Sequence, residues 1–211
     1  MSVADSYQLR FPESRSVISD LASEECVRSY LDLLRGYNNS TFEHSLRTGL
    51  LCVDLGFENG VVRASGLHLL GRAGLFHDIG KLGIPLYILD KEGPLTDFER
   101  LTINEHSRMG FELLHGLGDE LRQTVVGHHE YQENAYPRFT RRRRAVRPGR
   151  ERRANNPRME WFSQIVAACD LYESLRSERS YKAGMDVAET GAIMKGSFTG
   201  DTKYVDQLLT R

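Results

Sequence analysis

Five histidines and two aspartates sit where the surrounding chain is apolar. His44 shares a helical face with Thr48, Leu51 and Leu55, and His77-Asp78 closes an apolar helix just before Gly80. His106 falls inside a helical stretch, His128-His129 closes another, and Asp170 follows the apolar run Ile165 to Cys169. Burying this many polar groups is costly unless they are paired or bound to metal. Imidazole nitrogen mixed with carboxylate oxygen suits Fe, Mn or Zn rather than Ca or Mg alone, and one carboxylate can bridge two ions about 3.5–4 Å apart. Any one of the seven histidines, taken singly, reads as structural or surface. The set as a whole points to a buried metal centre.

Helices are needed to hold these groups. Residues 1–18 are mixed and read as a loosely attached arm. From Ser19 the pattern is helical, with Cys26, Val27, Tyr30, Leu31 and Leu34 on one face. Thr41 is a candidate N-cap for the helix of His44, and Gly56 its C-terminal stop. A third helix runs from Asn59-Gly60 to about His77. Gly66, Gly71 and Gly74 within it leave room for a neighbouring helix to come close. Thr96 with Glu99 and Asp186 with Glu189 read as capping boxes. Asp119 is a candidate cap for the helix of Leu121, Val125 and His128, and helical pattern resumes near Glu160. A last short helix covers Lys203 to Leu209. No alternating run is long enough for a strand, so the predicted class is all-α.

Composition narrows the function classes. The 211 residues are 40% hydrophobic and 27% charged, with a formal net charge of −1. That is ordinary globular usage with no global field toward nucleic acid or membrane. Cys26, Cys52 and Cys169 are odd in number and widely spaced, which argues against a disulfide framework or a cysteine zinc site. With no signal peptide and no long apolar run, a cytoplasmic location is expected. Residues 131–160 stand apart. Arg141 to Arg144 are followed by Arg147, Arg150, Arg152 and Arg153, with Pro137, Pro148 and Pro157 preventing one continuous helix. This stretch reads as an exposed, mobile loop. It is either a solvated segment or an electropositive lip for phosphorylated ligands, and its few aromatics do not support base stacking.

The ordered set His44, His77-Asp78 with Gly80-Lys81, His106, His128-His129 and Asp170 resembles the HD-GYP family, the branch of the HD superfamily associated with cyclic di-GMP hydrolysis. The likeness extends through Leu75 to Pro85, Ile88 to Thr96, Ala168 to Leu175 and Ser177 to Lys182, and covers roughly residues 40–209. It implies an HD-domain helical bundle with a metal site between helices. Residues 1–39 form an N-terminal arm and helix, and residues 40–211 the catalytic domain. It implies His44, His77, Asp78, His106, His128, His129 and Asp170 as ligands of two divalent transition-metal ions, Fe or Mn foremost, with Asp78 bridging. Lys81 falls on a lysine that contacts the scissile phosphate, and Arg179 and Lys182 fall on basic residues that hold the other phosphates. The implied activity is hydrolysis of a cyclic dinucleotide, cyclic di-GMP first, by a hydroxide that two metals activate. Asp78 and Lys81 are then the catalytic residues.

The chain also departs from the family pattern. After His128-His129-Glu130, the family's Asp-Gly pair is replaced by Glu133-Asn134, and its Gly-Tyr-Pro by Ala135-Tyr136-Pro137, one residue early. Alanine resists backbone angles that glycine allows, so a differently shaped loop is expected, with Tyr136 kept as a substrate contact. Relatives with a third metal hold it through a carboxylate one turn before the first histidine. Here that position is Ser40, and Glu43 lies about 100° around the helix from His44. Two ions are expected. The altered loop leaves two alternatives open: hydrolysis of another nucleotide phosphoester, or a catalytically silent module that binds a nucleotide or a protein. A signalling protein is a candidate partner; membrane and nucleic acid are not expected ones.

Overall fold

Capping side chains and glycines set the helix boundaries in the computed structural model, which describes residues 7–133, 135, 156–177 and 184–211. In chain order the helices are α1 (Glu13–Ser23), α2 (Glu25–Tyr37), α3 (Asn39–Glu58), α4 (Ala64–Phe76), α5 (Leu86–Leu89), α6 (Asp97–Asn104), α7 (His106–Leu113), α8 (Asp119–Val126), α9 (Pro157–Arg176), α10 (Val187–Ser197) and α11 (Lys203–Leu208). Two 3-10 helices, Ile79–Gly83 and His128–Tyr131, follow α4 and α8. Among the described residues the only β-type pairing is an isolated bridge between Gln132 and Phe198, as the all-α expectation requires. No described helix is long and apolar enough to cross a membrane.

The centre of the bundle is the packing of α3 on α4 and α9. Gly74 makes the first contact possible, because a Cβ there would lie 2.7 Å from the Gly49 Cα. That is the close approach expected from the glycines of α4. Leu51, Cys52, Val53, Leu55, Leu70, Phe76, Ile165, Val166 and Tyr172 fill the core around it. The capping boxes at Thr96–Glu99 and Asp186–Glu189 both form.

Several boundaries differ from the sequence expectation. The stretch before Ser19 is not a loose arm from Tyr7 onward. Asp54, buried in α3, accepts hydrogen bonds from the backbone N–H groups of Phe11 (2.8 Å) and Arg10 (3.4 Å), and α1 begins at Glu13. Arg211 grips the same place, with Nε 2.8 Å from Asp54 and a second nitrogen 2.6 Å from Glu58, which Arg10 also reaches at 2.6 Å. The cap of α3 is Asn38, whose side chain accepts the Thr41 N–H at 2.8 Å; Gly56 stays inside the helix, which runs on to Glu58. Gly118, at φ 94°, occupies the cap position of α8, so Asp119 is its first helical residue. Asn156 caps α9, which therefore starts at Pro157, a first-turn position where proline's missing N–H has no cost. Cys26 points to solvent rather than into the face of Val27, Leu31 and Leu34.

Candidate metal centre

Three of the histidines are aimed by the same local device. The Nδ1 of His77 lies 2.8 Å from the Gly74 carbonyl, that of His106 2.7 Å from Ile103, and that of His128 2.5 Å from Val125. Each carbonyl belongs to the residue three positions earlier. It can only accept, so Nδ1 carries the proton and Nε2 is left as a lone pair. His77 closes α4 as its C-cap, His106 is the first residue of α7 rather than an interior one, and His128 begins the 3-10 helix after α8. In each case the helix end turns the ring inward.

The structure brings all seven predicted ligand side chains together. His44, His77 and Asp170 form one group that could hold a metal ion, and His106, His128 and His129 form a second. In the first, the His44 Nε2 is 3.0 Å from both the His77 Nε2 and the Asp170 Oδ1. In the second, the Nε2 atoms of His106 and His128 are 3.4 Å apart. Asp78 lies between them. Its Oδ2 is 3.4 Å from His77 and 3.6 Å from His44, while its Oδ1 is 3.3 Å from His106. One carboxylate thus presents one oxygen to each group. The Lys81 ammonium is 2.5 Å from the Asp78 Oδ2 and remains partly exposed at the edge of the site.

Converging lone pairs and buried carboxylates repel one another unless cations sit among them. This donor set fits divalent transition ions. The proton affinities show the same field. Burial opposes charge on His77, but Asp78 and Asp170 outweigh it and hold its pKa up at about 10. Burial likewise opposes a charged His44, and Glu173 and Asp170 reverse the effect. At His106, burial prevails over Asp78 and lowers the pKa to about 4. His129, whose ring is enclosed although the residue keeps some exposure, falls to about 3 through burial and its imidazole neighbours. Burial disfavours the charged carboxylate of Asp78, yet Lys81 and His77 keep it ionised well below the usual range.

One side chain in the site appears in the sequence reading only within the stretch Ala168 to Leu175. Glu173, fully buried in α9, contacts the His44 Nδ1 with one oxygen, and Arg47 Nε and Ser177 Oγ with the other. No spacing rule marks it, because its partners His44 and Arg47 come from a helix more than a hundred residues earlier. A second neighbour that the sequence reading left unremarked is Tyr7, whose ring lies tilted 5.8 Å from that of Tyr172 beside Ser177. Gly80 positions both Lys81 and His106. A Cβ there would meet the His106 carbonyl oxygen at 1.9 Å, so only glycine lets the 3-10 helix lie directly on the start of α7. Tyr136, Arg179, Lys182 and the Arg141–Arg144 run lie outside the described residues, whereas Ala135 is described, with its N–H 3.0 Å from the Gln132 carbonyl.

The HD domain family model matches residues 41–175, a span that includes all seven of these side chains. Among curated proteins, the chain is 31% identical over 129 residues to the 3'3'-cGAMP-specific phosphodiesterase 3 of Vibrio cholerae serotype O1, covering 60% of this chain and 25% of that one. It is 31% identical over 168 residues to the cyclic di-GMP phosphodiesterase response regulator RpfG of Xanthomonas campestris pv. campestris, covering 76% and 39%. With a cyclic di-GMP phosphodiesterase of Thermotoga maritima it shares 32% over 162 residues, covering 74% and 40%. The chain spans between a quarter and two fifths of the length of these relatives.

Proposed function

The chain belongs to the HD domain family, and from that premise we propose that it is a metal-dependent phosphodiesterase that hydrolyses a cyclic dinucleotide, cyclic di-GMP first among candidates. The observation that carries this reading is the division of Asp78 between two donor groups, with Lys81 on the same carboxylate. The two groups are read as sites for two ions, Fe or Mn foremost. His44, His77 and Asp170 would hold one, His106, His128 and His129 the other, with Asp78 available to both. When bound, such ions supply Lewis acidity toward a phosphoryl oxygen and a water made acidic near neutral pH.

The protein's own groups then have distinct tasks. His106 and His128 present lone pairs with no proton to lose at neutral pH, whereas His44 and His77, held protonated by the neighbouring carboxylates, release a proton as metal binds. Asp78 and Asp170 supply negative charge in an enclosed site, where it acts most strongly. Lys81 can leave Asp78 for a phosphoryl oxygen, where its charge opposes the negative charge that develops during in-line displacement. Arg179, Lys182 and Tyr136 are assigned to the rest of the dinucleotide. The three free thiols, two of which (Cys52 and Cys169) touch in the core without forming a disulfide, suit a cytoplasmic enzyme.

The relatives named for 3'3'-cGAMP make the choice of base the open chemical question. The test is hydrolysis of cyclic di-GMP and 3'3'-cGAMP by protein reconstituted anaerobically with Fe or Mn, with metal measured on the same sample. About two ions per chain with a linear product support the proposal, and relative rates rank the substrates. Full metal with no product from either compound overturns it in favour of a binding module.

A further inference from the structure

The geometry points to Glu173 as a positioning residue that fixes the ring of His44 toward the metal. This inference rests on the metal-centre reading above and adds a residue to it. Among the imidazoles described, His77, His106 and His128 are held at Nδ1 by neutral carbonyls of their own helix turn. His44 is held by a carboxylate from another helix. Asp170 and Glu173 are three residues apart on α9, so a single turn grips both ring nitrogens: Asp170 Oδ1 lies 3.0 Å from Nε2 and Glu173 contacts Nδ1.

The grip is itself fixed. Arg47, one turn beyond His44 on α3, donates to the second Glu173 oxygen, and so does Ser177. A fully buried carboxylate with all its donors supplied has no freedom to rotate. A charged acceptor at Nδ1 holds the proton there, leaves Nε2 as the lone pair, and makes that lone pair more basic than a carbonyl would. Lost partners of this kind typically cost about 10- to 100-fold in metal affinity.

The test compares wild type with Glu173→Gln, which keeps the shape and removes the charge, and with Glu173→Ala. Manganese affinity is measured by calorimetry, and the His44 ring nitrogens by 15N NMR on metal-free protein at a pH above the raised pKa of the ring, where the imidazole is neutral. The expected result is manganese binding about 10- to 100-fold weaker in a Glu173→Gln protein that stays folded by circular dichroism. A mixed His44 tautomer is expected in Glu173→Ala, with added formate restoring the Nδ1–H form. At saturating metal, KM should equal that of wild type. Glu173→Gln that binds manganese like wild type overturns the inference, whether or not the alanine variant folds. A wild-type protein that binds no manganese, iron or cobalt overturns the metal reading instead. In that case the NMR result alone decides whether Glu173 sets the His44 tautomer.

Discussion

The group of His44, His77 and Asp170 is surrounded by charge, whereas the group of His106, His128 and His129 is built from imidazoles, two of them anchored by peptide carbonyls. The imidazoles of the two groups are chemically the same, yet His77 keeps its proton up to about pH 10 while His106 releases it near 4 and His129 near 3. Neighbouring carboxylates, not the imidazole itself, decide how strongly each half attracts a cation. The charged half should therefore fill first as metal is added, and the neutral half should complete the centre.

Asp78 belongs to both halves, so Asp78→Ala should have the largest effect. Metal content and hydrolysis should fall together, with a loss of at least about 4 kcal/mol in transition-state stabilisation, on the order of a thousandfold in rate. An Asp78→Ala protein that retains full metal would show that the halves are independent. Lys81→Ala should leave both ions bound and lower kcat by about 2–4 kcal/mol, on the order of 30- to 1,000-fold. A wild-type rate in that variant would remove Lys81 from the mechanism. Gly80→Ala should act first on the neutral half. The added carbon collides with the His106 backbone, so a loss of about 1–3 kcal/mol in stability is expected, with weaker binding of the second ion and little change in the first. Thermal unfolding and stepwise metal titration would measure both.

The smallest effect is on pH dependence of the metal-free fold. His106 and His129 have folded pKa values of about 4 and 3 against an ordinary 6.5, so the unfolded chain binds protons first and stability falls as pH drops from about 6.5 toward 3. His77 has the opposite sign: its contribution is complete below 6.5 and is lost as pH rises through about 10. Melting temperatures of metal-free protein should therefore peak near pH 6.5. A flat profile between pH 4 and 9 would erase the distinction between the halves.

The helical class and the positions of the seven candidate ligands were legible because each lies at a helix end or on an apolar stripe, where a polar side chain needs a reason. Where α1 starts was not legible. Its approach through Arg10 and Phe11 is fixed by Asp54, a contact 43 residues away in the case of Phe11, and nothing in the local pattern of residues 7–18 announces it. Glu173 was hidden for the same reason, since His44 stands 129 residues before it. Gly80 was read within a motif, but its need to touch the backbone of α7 appears only once the helices are assembled.

The paired grip of Arg10 and Arg211 on Asp54 and Glu58 has a mechanical meaning. Segments near the two ends of the described chain are stapled to one stretch of α3, which begins at Asp54, ten residues or roughly 15 Å along the rod from His44. A pull at Arg211 is carried first by those ion pairs, whereas a pull from the other side meets the buried Tyr7 on Tyr172 before it reaches Arg10. On the Arg211 side the candidate metal centre sits further down the same rod, shielded from the load until the staple gives way.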